Sequence, residues 1–73
     1  MFDSNAIIAG AVRIDIISGE GEQGHRDTYT GMRTALAIKR SLTRERCGGD
    51  RWARAVAITE AGAAYDIETG NFA

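Results

Sequence analysis

The chain has 73 residues, a formal net charge of −1, 44% apolar and 26% charged residues, one cysteine and no proline. A chain this long makes one domain, residues 1–73, and buries only roughly 60% of the surface its unfolded form exposes, so its core is small. The lone Cys47 excludes an internal disulfide framework and a cysteine-based zinc site; with no basic segment opening "MFDSNAIIAGAV" and no apolar run of spanning length, the expected setting is cytoplasmic and off the membrane.

Residues 6–18, "AIIAGAVRIDIIS", are rich in β-branched side chains. From Val12 the alternation puts Val12, Ile14 and Ile16 on one face and Arg13 and Asp15 on the other, the pattern of a half-buried strand. "GEGEQG" (residues 19–24) reads as a turn, and "HRDTY" as a short second strand or the approach to a helix.

A helix is expected from Thr28 or Thr30 to Arg46, with Met32, Ala35, Leu36, Ile38 and Leu42 on its apolar face. Asp27, Thr28 and Thr30 are candidate N-caps. Lys39, Arg40, Arg44 and Arg46 suit the negative end of the helix dipole, and Gly48-Gly49 supplies the left-handed stop.

"RWARAVAITEAGAAYDIET" then reads as a β-hairpin turning at "TEAG". On its first strand Trp52, Arg54, Val56 and Ile58 share one face and Ala53, Ala55 and Ala57 the other, which is expected to look outward. On the second, Ala63, Tyr65 and Ile67 alternate with Ala64, Asp66 and Glu68. "ETGN" is a further tight turn that folds Phe72 back on the sheet. The predicted fold class is α+β: a small, mostly antiparallel sheet with one long helix on one face, in β(β)αββ order.

On paper "GEGEQG" matches G-x-G-x-x-G after a strand and before a helix, the dinucleotide fingerprint. In that fingerprint the last glycine opens the helix itself, so that its N–H groups receive the pyrophosphate. Here residues intervene, and Glu20 and Glu22 would repel phosphate. The expectation is an acidic turn and no cofactor. No acidic cluster has cation-loop spacing, so no metal is expected.

A catalytic reading finds little to stand on. His25, the only histidine, lies close to Asp27, but no nucleophile can be placed beside it. Cys47 has Arg44, Arg46 and Arg51 nearby, yet it sits where the helix dipole opposes a thiolate. The protein is therefore expected not to be an enzyme.

Charge is unevenly spread. Residues 1–30 carry five acids and two arginines (−3), residues 31–54 seven bases and two acids (+5), and residues 55–73 three acids (−3). Arg33, Arg40 and Arg44 fall within a band about 40° wide on a helix of 100° per residue. Arg51 and Arg54 are expected to extend that patch, which offers contacts to phosphates or to acidic protein surfaces. Exposed strand edges on so small a sheet also allow a homodimer.

With its N-terminal strand, single Ala-rich helix and C-terminal hairpin ending "AAYDIETGNF", the chain resembles small α+β proteins of phages and mobile elements, among them anti-CRISPR inhibitors of type I systems. The resemblance lies in size and architecture. It implies a non-enzymatic inhibitor that binds a CRISPR surveillance complex, a host nucleoprotein, and blocks target-DNA capture or nuclease recruitment. Under it, Glu20, Glu22, Asp66 and Glu68 would enter a nucleic-acid-binding groove, and the arginines would meet acidic patches or guide-RNA phosphates. The alternative is a small nucleic-acid-binding or regulatory domain using the basic helix.

Overall fold

The computed structural model describes residues 3–30 and 34–73; Met32 and Arg33 lie outside the described residues. The first described element is a helix, α1 (Ser4–Ala9), where the β-branched run from residue 6 suggests a strand. Asp3 caps it, its carboxylate accepting from the N–H of Asn5 at 3.0 Å. Four strands follow: β1 (Ala11–Glu20), β2 (Gln23–Tyr29), β3 (Arg51–Thr59) and β4 (Ala64–Asp66), with α2 (Ala35–Glu45) between β2 and β3. They form one antiparallel sheet in the order β2-β1-β3-β4, so the fold is α+β.

Helix α2 starts later than its periodicity suggests. Asp27 and Thr28 belong to β2, and Thr34 is the N-cap, its hydroxyl accepting from the N–H of Ala37 at 3.1 Å. Gly48 and Gly49 take positive φ, but α2 has already ended at the right-handed C-cap Arg46, and Cys47 follows without positive φ. The glycines therefore form the turn into β3 and are not the left-handed stop expected. The buried side of α2 is Ile38, Ser41 and Leu42. Leu36, expected on the apolar face, is 59% exposed because that face is rotated away from it.

The face of the sheet under the helices carries Ile14 and Ile16 from β1 opposite Ala57 and Ala55 from β3. With Ile8, Ile38, Leu42, Ala53 and Ile67 they make the core. The alanine side of β3 is therefore the inner one, not the outer one. Three methyl side chains in a row let α2 approach closely, whereas Trp52 and Arg54 would hold it off.

Val12 is also displaced from its expected place. The β1–β3 register slips between Ala11 and Arg13, so Val12 is an extra residue in a bulge and 53% exposed, and Ala11 takes the inward position. The "TEAG" turn forms as expected, with Gly62 at φ +88 and its N–H donating to the Thr59 carbonyl at 2.9 Å. The "ETGN" turn does too, with Gly70 at φ +78. Beyond it the chain returns beside β4: Ala73 N–H donates to the Ala64 carbonyl at 3.0 Å, and the Phe72 ring stacks on Tyr65 at 4.8 Å.

Candidate functional site

The two described helices lie on one face of the sheet, and no described helix lies on the other, open one. Cross-strand register assigns Asp15, Ile17 and Gly19 of β1 to the open face, with Gly24, Arg26 and Thr28 of β2, Trp52, Arg54 and Val56 of β3, and Asp66 of β4. The central strands give this face an apolar floor, and the long cationic side chains stand around it.

A cleft of about 470 Å³ lies here, floored by Ile17 and Val56. Arg26 and Arg54 line one side, and the returning residues Thr69, Asn71, Phe72 and Ala73 line the other. The exposed Phe72 ring itself stacks on Tyr65, which pairs with Ala57 of the helix-side face, so the aromatic side chain of the open face is Trp52. Among the described residues Arg54 has no carboxylate partner; its guanidinium lies over the Trp52 ring, 5.8 Å from the centroid.

Arg26 is held differently. The Asp15 carboxylate, fully buried in the middle of β1, lies 3.4 Å from the guanidinium groups of both Arg13 and Arg26. It also accepts from the Thr28 hydroxyl at 3.0 Å, while its Oδ2 has no hydrogen bond among the described residues. The buried charge thus fixes two half-exposed arginines against the sheet.

The glycine loop serves this same face. Gly21 and Glu22 are the two-residue turn closing the β1–β2 hairpin, and Gly21 has φ +59, the conformation a type II′ turn takes at its first central position. Gly19 pairs across strands with Gly24 on one side and Trp52 on the other. A Cβ on Gly24 would meet the indole at 3.0 Å, and one on Gly19 would meet it at 2.8 Å and strike the Gln23 backbone. The glycines make room for the indole, and its Nε1 donates to the Gly21 carbonyl at 2.8 Å. The segment leads into a strand and not a helix, so it lacks the geometry of the dinucleotide fingerprint.

The basic patch expected from the sequence divides. Arg40 and Arg44 are exposed on α2, one turn apart. Arg51 instead turns back to the helix end, donating to the Glu45 carbonyl at 2.8 Å and pairing with its carboxylate at 3.2 Å. Arg54 sits on the opposite side of the sheet from α2 and does not extend the helix stripe.

The acids divide as well. Glu20 and Glu22 are exposed at the hairpin end. Asp66 and Glu68 do not form a shared strand face, because β4 ends at Asp66. The Asp66 carboxylate accepts from the N–H groups of Glu68 and Thr69, closing the turn. Glu68 pairs with Arg46, whose Nε also donates to the Ala53 carbonyl at 3.1 Å. That guanidinium holds the Glu68 carboxyl below its ordinary range and is itself raised by it, each shift led by the hydrogen bond between them.

His25 Nε2 lies 3.3 Å from Asp27 Oδ2, both exposed, and Cys47 is exposed with its thiol donating to the Thr43 carbonyl. No group of three or more metal-ligating side chains forms among the described residues, and no described helix is long and apolar enough to cross a membrane.

Sequence reasoning missed Asp15 and Arg26. The signal was a lone acid inside an otherwise apolar strand, which calls for a cation from a neighbouring strand. Comparison with known proteins adds no relative: no family model, curated protein or solved structure matches the chain.

Proposed function

We propose that the protein works by binding, without covalent chemistry, and that a protein partner docks in the cleft on the open sheet face. The observation carrying this reading is Arg54: a cation without a carboxylate partner among the described residues, stacked on Trp52 beside the apolar floor of Ile17 and Val56. Arginine and aromatic side chains grouped around a desolvated centre are the usual makings of a protein interface. With the Asp66 carboxylate engaged in its turn and Arg26 held by Asp15, Arg54 is the cation this rim offers, which suits a segment of acidic and apolar residues.

The resemblance to small type I anti-CRISPR inhibitors supports placing that partner in a CRISPR surveillance complex, where a small domain acts by occupying a surface. In that role the exposed Glu20 and Glu22 at the hairpin tip would stand against a nucleic-acid-binding groove, and blocking target-DNA capture or nuclease recruitment would follow from bulk and charge.

The test is capture of surveillance-complex subunits by the tagged protein from CRISPR-bearing lysate, with and without nuclease. Stoichiometric capture that survives nuclease, is lost in Arg54→Glu and persists in Arg40→Glu/Arg44→Glu is the expected result. The alternative reading, nucleic-acid binding through α2, draws on Arg40 and Arg44 standing one turn apart without carboxylate partners among the described residues. A salt-sensitive affinity for bare DNA or RNA, abolished by Arg40→Glu/Arg44→Glu and untouched by Arg54→Glu, would replace the first reading with that one.

A further inference from the structure

The two edges of the sheet are unlike. The outer edge of β4 is taken by the returning C-terminal residues through the Tyr65–Phe72 bridge and the hydrogen bond from Ala73 to Ala64. The outer edge of β2 has no strand beside it among the described residues. Of the devices that usually blunt an edge, β2 has neither proline, lysine nor a bulge against β1, and it is exposed along its whole length; its charges are Arg26, held by Asp15, and Asp27, beside His25.

Which backbone groups of β2 look outward follows from the hairpin. A two-residue turn makes Glu20 and Gln23 a hydrogen-bonded pair, and such pairs then recur at every second residue. His25, Asp27 and Tyr29 thus turn their N–H and C=O groups toward β1. Gly24, Arg26 and Thr28 turn theirs away from the sheet. That outward set is symmetric about Arg26, the middle residue of the strand.

We propose that a second copy of this chain pairs with this edge, β2 against β2, antiparallel about a two-fold axis at Arg26. This register matches every outward group of one strand with one of the other: Arg26 with its own counterpart, and Gly24 with Thr28. On the helix-side face it sets His25 of each copy opposite Asp27 of the other. Within one chain these two already lie 3.3 Å apart, so the dimer gathers two imidazoles and two carboxylates in alternation. An imidazole N–H facing a carboxylate is a favourable cross-strand pair.

The like pair at the axis is balanced, because each Arg26 remains 3.4 Å from its own buried Asp15. The two sheets then run on as one, with both open-face clefts on the same side. The inference stands whether or not those clefts bind the proposed partner.

Sedimentation equilibrium of the full chain over a range of concentrations tests it. A monomer–dimer equilibrium is expected, with its dissociation constant raised about tenfold by Asp27→Lys, which removes the acid facing each imidazole, or by His25→Asp, which sets acid against acid across the axis. The double variant His25→Asp/Asp27→His restores the opposed pairs and the wild-type constant. Far-UV circular dichroism confirms that these exposed substitutions leave the fold intact, and Arg40→Glu, remote on α2, leaves association unchanged. A chain that stays monomeric at every concentration overturns the proposal. So does a dimer indifferent to both single variants, or one that the double variant fails to restore.

Discussion

The indole of Trp52 lies across Gly19 and Gly24 and donates from Nε1 to the Gly21 carbonyl, so all three glycines of "GEGEQG" serve one side chain. Gly21 turns the hairpin, and the other two leave the strand surface bare where the ring rests. Gly19→Ala places a methyl against backbone that cannot yield, and costs about 3 kcal/mol. Gly24→Ala meets the edge of the ring, which can tilt, and the Ser18 carbonyl only at 3.4 Å, and costs about 1 kcal/mol. Urea denaturation followed by the fluorescence of this single tryptophan measures both. A small loss at Gly19 would mean that the hairpin backbone yields, and no loss at Gly24 would mean that the ring is not seated there.

Asp15 and its two arginines are unequal partners. The carboxylate is fully buried, while the side chains of Arg13 and Arg26 are about half exposed. Removing the acid frees two cations that water can take up; removing the cations strands a buried charge. Asp15→Val, close in size and beside Val56, is expected to change stability by no more than about 1 kcal/mol. Arg13→Ala/Arg26→Ala is expected to cost about 3 kcal/mol. Chemical denaturation gives the order of the two, and the reverse order would show that the acid is not the dependent member.

Local chemistry made much of the fold legible. The turns at Gly62 and Gly70 are readable because a positive φ demands glycine there; Gly48-Gly49 is readable as a break, but it turns the chain into β3 and does not cap α2. Helix α1 was not, since "AIIA" is as apolar and β-branched as the strand after it, and only the Asp3 cap marks its start. The faces of β3 were misassigned for a different reason. Side-chain size suggests that Trp52 and Val56 point inward, but the approach distance of α2 decides the matter, and it selects Ala53, Ala55 and Ala57. The cleft was harder still. Arg54 was legible as an exposed cation, yet its neighbours Arg26, Val56 and Phe72 arrive from separate segments through the pairing register.

The start of α2 rests on Thr34. Its hydroxyl accepts from the N–H of Ala37, one of the donors that the first helical turn leaves unpaired. Thr34→Ala is expected to cost about 1 kcal/mol and Thr34→Asp to restore most of it, since aspartate caps as well and its charge suits the helix N-terminus. Thermal melts by circular dichroism report the pair. A neutral Thr34→Ala would place the working cap elsewhere.

Arg46 joins the end of α2 to β3 and to the turn after β4, and its two contacts respond differently to acid. The guanidinium donates to the Ala53 carbonyl and pairs with Glu68, lowering the Glu68 carboxyl from its ordinary value of 4.5. A carboxyl depressed in the folded state adds stability that is fully present above its unfolded value and is lost as pH falls through the folded one. Arg46, raised from an already high value, stays charged throughout that range. Both side chains are more than a third exposed, so solvent screening limits the pair to about 1 kcal/mol. Glu68→Gln should therefore be less stable than wild type at neutral pH, by a margin that salt reduces, and should match it once pH drops well below the carboxylate range. Arg46→Ala also loses the contact with the Ala53 carbonyl, which does not titrate, and should remain less stable than wild type at every pH. Denaturation midpoints for the three proteins between neutral and acid pH separate these terms. If Glu68→Gln keeps its deficit in acid, the loss comes from packing and not from charge.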